Sequence, residues 1–156
     1  MLSEHSENEI DREIAKYPPE RKQAAVMAAL TIAQREKGWL SEETLDYVAH
    51  RLEIPPIRVS EVATFYSMYE LEPVGRHKIF LCTNISCMLR GSDGIAKHLE
   101  NKLKIKPGQT TDDGKFTLRE VECLAACGGA PMMQLDDAYH ENLTPERVDE
   151  ILDAME

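Results

Sequence analysis

LCTNISCMLRG (Leu81–Gly91) and ECLAACGGAP (Glu122–Pro131) hold all four cysteines of the chain: Cys82, Cys87, Cys123 and Cys127. The pairs are spaced C-x4-C and C-x3-C, with 35 residues between them. Both lie among small, flexible residues. Two close pairs on two flexible loops ask for a soft metal held by four thiolates, two from each loop.

Four readings of the cysteines compete. The first ten residues are polar and acidic, with no apolar segment of a signal peptide. A reducing cytosol follows from that, and it disfavours disulfides. Inert buried cysteines would not fall into two tight pairs. Structural zinc favours C-x2-C knuckles but accepts wider spacings. A 2Fe–2S cluster is wider than one ion and tolerates wider pairs. C-x4-C also occurs in plant-type ferredoxins, but there the third cysteine follows closely, unlike here. An oxidised 2Fe–2S cluster with four thiolates is doubly negative by formal count, so its sulfurs need backbone N–H donors. Ser86, Gly91, Ala125, Ala126, Gly128 and Gly129 leave that approach open. The same small residues also suit an ordinary turn.

Two longer runs carry a family resemblance. EVATFYSMYELEPVGRHKIFLCTNISCMLRG (Glu61–Gly91) and GQTTDDGKFTLREVECLAACGGAPMMQLDDAYHENLTPE (Gly108–Glu146) resemble the thioredoxin-like 2Fe–2S E-subunit family of NADH:quinone oxidoreductase, respiratory complex I. The likeness is strong from about Trp39 to Ile151 and looser over the N-terminal helices. It implies that Cys82, Cys87, Cys123 and Cys127 ligate one 2Fe–2S cluster. Ala125 stands where relatives often have glycine. The resemblance further implies a neighbouring subunit that holds FMN and the NADH site and trades single electrons with this cluster. The cluster would lie to the side of the main iron–sulfur path. Other peripheral-arm iron–sulfur subunits are implied as partners. The location implied is cytoplasmic, with the membrane reached only through the complex. Alternative hosts are the diaphorase part of an NAD-linked hydrogenase or formate dehydrogenase. A free-standing 2Fe–2S ferredoxin and a zinc-stabilised interaction module are further alternatives.

The length of 156 residues fits one domain or a small domain plus an extension. Residues 1–72 read as an N-terminal helical region and 73–156 as the cluster domain, an α/β (α+β) class overall. A charged first helix over residues 3–17 carries few apolar positions, namely Ile10, Ile14 and Tyr17. A second helix is predicted from Pro19 to about Lys37, stopped by Gly38. Ser41 caps a third, with Leu45, Val48, Ala49 and Leu52 on one stripe. Val59, Val62, Ala63 and Tyr66 repeat that spacing in a fourth. These helices promise only a weak internal core, which points to a clamp onto partner subunits. Phe65, Tyr66 and Tyr69 are read as core, part of them open to a partner-facing role. Beyond the turn EPVGR, the order β-α-β-β-α is expected. HKIFL delivers Cys82, Ser86–Gly91 is a loop, and a helix runs over 93–104. FTLREVE ends at Cys123, APMMQLD is the next strand, and Thr144 caps the last helix.

Net charge is −10, and residues 107–156 carry −9 of it. That acidic third argues against nucleic acid. It reads as a solvated face, with a docking surface for a basic partner as the functional alternative. No apolar run approaches a membrane span, so no direct insertion is expected. There is no G-x-G-x-x-G, P-loop or C-x-x-C, and no nucleophile–base set. His5, His50, His77, His98 and His140 are scattered, and Met132 and Met133 are expected beneath the cluster. Alone, the chain should neither bind nor oxidise NADH. Any enzymatic role is that of one subunit in a larger assembly.

Overall fold

The computed structural model describes residues 1–155. They divide into two compact units, Met1–Pro73 and the residues from Val74 onward.

The first unit is helical. α1 (Glu4–Ile14) starts on Ser3, whose hydroxyl accepts the Ser6 N–H at 3.3 Å. The Ser3 N–H and O–H in turn donate to Glu36 in α2 (Val26–Lys37). Hydrogen bonds from Ser6 and Ser3 hold the Glu36 carboxyl down at about 2. The helix expected from Pro19 is broken: Pro19–Ala25 forms a 3₁₀ turn, with Arg21 off helical geometry. The Pro18 carbonyl takes the Arg21 N–H at 2.8 Å, an i→i+3 bond that tightens the backbone before α2 begins. α2 ends at Gly38 (φ 81), which closes the last turn on Gln34. α3 (Glu42–Leu52) is capped by Ser41 as predicted, and α4 (Pro56–Phe65) begins with proline in its first turn.

The expectation of a weak core here is overturned. Ile10, Leu30, Val48, Leu52 and Val59 are completely buried together. Each of α2, α3 and α4 turns its apolar stripe to one centre, and the charged α1 lays Ile10 into it. Burying one such side chain stabilises by about 1.5–3 kcal/mol, and Leu2 and Ile14 pack against the same cluster beside it. Tyr47 adds a second tie by donating to Glu7 of α1 at 2.6 Å. The aromatic reading also needs correction. Tyr66 lies past the end of α4 in extended backbone and is exposed, and Phe65 is 79% exposed. Only Tyr69 is core, with its hydroxyl donating to the Met27 carbonyl at 3.0 Å.

The second unit is α/β. β1 (His77–Cys82) is followed by α5 (Ile85–Leu89), α6 (Ser92–Leu103), β2 (Phe116–Val121), β3 (Met133–Leu135), β4 (Ala138–His140) and α7 (Pro145–Asp153). The sheet order is β2-β1-β3-β4. β1 and β2 run parallel, with His77 beside Phe116 and Cys82 beside Val121. β3 lies antiparallel to β1, and β4 antiparallel to β3. A parallel pair needs a crossover, and α6 supplies it. Ile79, Leu81, Leu118, Met133 and Leu135 from the sheet pack with Leu99 of α6 and Val148 and Leu152 of α7.

Three differences from the expected pattern matter. In place of a loop over Ser86–Gly91, Asn84 caps a short helix by accepting the Ile85 N–H at 2.7 Å. The strand expected over Ala130–Asp136 is only Met133–Leu135. Pro131 has no N–H to give to a ladder, and the Ala130–Pro131 bond is cis. The third difference is β4, which the expected order lacks. Asp136 adopts φ 51 and turns the chain back after two residues, making a hairpin that aspartate tolerates. Asp136 also accepts from the Lys78 N–H at 2.8 Å and pairs with His77 at 2.7 Å.

Gly75 enters β1 against the backbone of β2. A Cβ there would stand 2.8 Å from the Phe116 carbonyl carbon, and its N–H donates to the buried Thr117 hydroxyl at 2.6 Å. Backbone cannot yield as a flexible side chain would. Gly75→Ala is therefore expected to destabilise the second unit by about 1–3 kcal/mol, read by denaturant unfolding. In the first unit, burial and the bond to Glu7 push the Tyr47 hydroxyl from 10 to about 12. The neutral form is the one the fold stabilises. The contribution is complete below pH 10 and is lost as pH rises through 12. Tyr47→Phe should cost about 1 kcal/mol at neutral pH and remove that alkaline component, measured as stability against pH.

Candidate metal centre

Because β1 and β2 are parallel and in register, both leave the sheet at the same end. Cys82 is the last residue of β1, and Cys123 follows the end of β2 by two residues. The Thr83 N–H donates to the Val121 carbonyl at 3.2 Å, prolonging the pairing past both strands. The Cys82 N–H donates to the Met132 carbonyl at 3.2 Å, which brings in the return limb of the second loop. α5 then carries Cys87 inward on the side opposite its exposed residues. A 3₁₀ turn, Cys127–Gly129, carries the fourth cysteine. Gly129 permits this approach, since a Cβ there would fall 2.0 Å from a carboxylate oxygen of Glu141.

The four sulfurs are not equivalent. Cys82 and Cys87 are buried and pack with Ala130, Met132, Leu124 and Ala126. Cys123 and Cys127 are exposed. Burial by itself would push the Cys82 thiol up. Hydrogen bonds from the Asn84 and Leu124 N–H groups and from the Cys87 and Cys123 thiols outweigh it and leave Cys82 below the ordinary thiol range. Cys87 moves the other way. Burial raises it, as do its bond to Cys82 and the nearby charge of Cys82 and Cys127, against the Met132 N–H that lowers it. The Ala125 N–H donates to the Cys123 sulfur at 3.2 Å. Ala125 holds φ 58, a left-handed conformation that costs an L-residue about 1–2 kcal/mol. Glycine would adopt it without that cost.

These residues fit a 2Fe–2S group. Four thiols share one end of the sheet, and the sulfurs of Cys82, Cys87 and Cys123 already accept backbone N–H bonds.

The histidines stand apart in their bonding. His5 pairs with Glu9, His77 with Asp136 and His98 with Asp149. Met132 lies under Cys82 and Cys87 as expected, but Met133 belongs to the core of the sheet. Alternation along a strand sends neighbours to opposite faces. Cysteine spacing had no means of indicating Leu124, which also packs against the sulfurs. The small residues anticipate N–H donors in kind, while the identities of those donors follow from the loop conformations.

The family model for thioredoxin-like 2Fe-2S ferredoxins matches residues 10–156. The NADH-quinone oxidoreductase E-subunit of Rickettsia bellii is 50% identical over 143 residues, 91% of this chain and 86% of that protein. The second such E-subunit of Rhizobium meliloti is 48% identical over 146 residues, 94% of this chain and 86% of that one. Among solved structures, an NAD+-reducing NiFe-hydrogenase matches 81% of this chain with a TM-score of 0.71. At 21% identity, and over 22% of that longer chain, this is a likeness of fold. The chain belongs to the thioredoxin-like 2Fe-2S ferredoxin family and, within it, to the E-subunit group of the NADH-quinone oxidoreductases.

Proposed function

We propose that Cys82, Cys87, Cys123 and Cys127 hold one 2Fe–2S cluster, and that the chain is an electron-transfer subunit of NADH:quinone oxidoreductase. Its partner is a neighbouring subunit carrying FMN and the NADH site, with which it exchanges electrons singly. The observation that carries this reading is the gathering of all four cysteines at one end of a parallel strand pair, with backbone N–H groups already directed at sulfur. Such a cluster, when bound, takes up and releases one electron at a time.

The chain's own residues supply the rest. Asn84, Leu124 and Ala125 donate N–H groups that offset negative charge on Cys82 and Cys123. Met132 and Ala130 keep water from the inner pair. The exposed outer pair leaves one side open to a redox partner. Residues 1–72 are assigned as a helical region and 73–156 as the cluster domain. A division at Pro73 supports that assignment. Other iron–sulfur subunits of the same arm are further partners. No helix among the described residues is long and apolar enough to cross a membrane, so the proposed route to the membrane is through the complex. Identity of about half to the E-subunit proteins favours complex I over a hydrogenase or formate dehydrogenase host.

Iron and acid-labile sulfide analysis is expected to give about two of each per chain, in a red-brown protein with an EPR signal after reduction. Zinc with no colour would exclude the reading. Serine at Cys82, Cys87, Cys123 or Cys127 should lower the iron content or change the reduced EPR spectrum, while His98→Ala should leave both as in wild type. An unaltered spectrum from Cys123→Ser would contradict the ligand set.

A further inference from the structure

β4 returns the chain to the second cysteine loop. His140, its last residue, pairs with Met133 of β3. Just beyond, the Asn142 N–H donates to the Gly129 carbonyl at 2.6 Å, and the Leu143 N–H donates to the Pro131 carbonyl at 2.9 Å. Asn142 takes a left-handed turn (φ 51), and Leu143 is buried. Glu141 lies between these fixed points, so its backbone is held on both sides. Its side chain folds over Gly129. A Cβ on Gly129 would stand 2.6 Å from the Glu141 Cβ and closer still to its carboxyl group. Turning the side chain cannot relieve the first contact, because a Cβ moves only with its backbone. With these backbones, glycine at 129 is what admits Glu141. Gly129 closes the turn Cys127–Gly129, and two residues of chain span at most about 7 Å. The carboxylate therefore stays within roughly one Debye length, about 10 Å, of the Cys127 backbone. It is exposed, and among the described residues it has no hydrogen-bond or ionic partner.

We propose that Glu141, its carboxylate held over Gly129, lowers the reduction potential of the cluster. The proposal rests on the assignment of the four cysteines to a 2Fe–2S cluster and adds a charged group outside the ligand set. Taking up an electron makes such a cluster more negative by one, and a fixed negative charge nearby makes that step less favourable. The Ala125 N–H on Cys123 acts in the opposite sense, since a donor to sulfur favours the added charge. The two exposed cysteines thus lie between a donor that raises the potential and a carboxylate that lowers it. Water and salt reach Glu141, which keeps its effect modest and dependent on ionic strength.

The test is a redox titration of the full cluster-loaded chain, followed by visible absorption and EPR at low and at high salt. Glu141→Gln keeps the shape of the side chain and removes its charge. It should favour the reduced form by about threefold at a fixed applied potential, an upward shift of about 30 mV at 59 mV per tenfold for one electron. High salt should shrink that difference. Glu141→Asp keeps the charge on a shorter stem and should stay closer to wild type than Glu141→Gln does. A packing role alone predicts the reverse order, and that order would overturn the proposal. Asp112→Asn, four residues before β2 and so at the end away from Cys123, should leave the potential unchanged. Where Glu141→Gln loses iron, Glu141→Ala carries the measurement; loss of the cluster in both would make Glu141 an assembly residue and overturn the proposal. An unshifted potential in Glu141→Gln, with iron and sulfide at wild-type levels, would overturn it while leaving the cluster assignment standing. A wild-type chain without iron and sulfide would remove both.

Discussion

Sulfur taken partly out of water, with backbone N–H groups turned toward it, is the constraint on which the second unit depends. A buried thiolate without donors is expensive. Here the backbone bends so that Asn84 and Leu124 give N–H groups to Cys82, Met132 gives one to Cys87 and Ala125 gives one to Cys123. Those N–H groups are free because they belong to loops, beyond the reach of the sheet ladder. The loops are close because β1 and β2 are parallel and end together. Sheet topology, loop conformation and site electrostatics are therefore one arrangement. Altering the parallel pairing would separate the sulfurs before any cysteine was changed.

Asymmetry follows from the same geometry. The first pair is drawn inward, one cysteine on the end of a central strand and the other on the inner side of α5. The second pair follows the edge strand β2 and stays in solvent. In the proposed cluster, the inner pair against Met132 and Ala130 would secure the centre, and the outer pair would leave it within reach of another protein. Ala125 accepts a left-handed backbone so that its N–H can meet the Cys123 sulfur. A modest conformational cost is exchanged for a hydrogen bond to that sulfur.

Much of the helical unit is legible in the chain itself. Ser41, Gly38 and the stripe Leu45, Val48, Ala49 and Leu52 act locally, within a turn or two of themselves. Local signals mislead where distant residues decide the outcome. Ile10 is one of the few apolar side chains of a charged helix, and only the presence of three other stripes makes it an anchor. Tyr66 has the right spacing for the core, but α4 ends at Phe65 and Tyr69 fills the place. β4 is invisible in advance because its three residues carry little strand signal, and the antiparallel partner Met133–Leu135 supplies the pairing.

The sequence by itself determined the candidate ligands, the turn chemistry of their surroundings and the family. Cysteine type, pair spacing and small neighbours are local properties that survive without coordinates. Tertiary structure decided which sulfurs are inner and which outer, which N–H groups reach them, and which side of α5 is left apolar in water. Each of these depends on how strands far apart in the chain lie beside one another, and spacing along a chain carries no record of that.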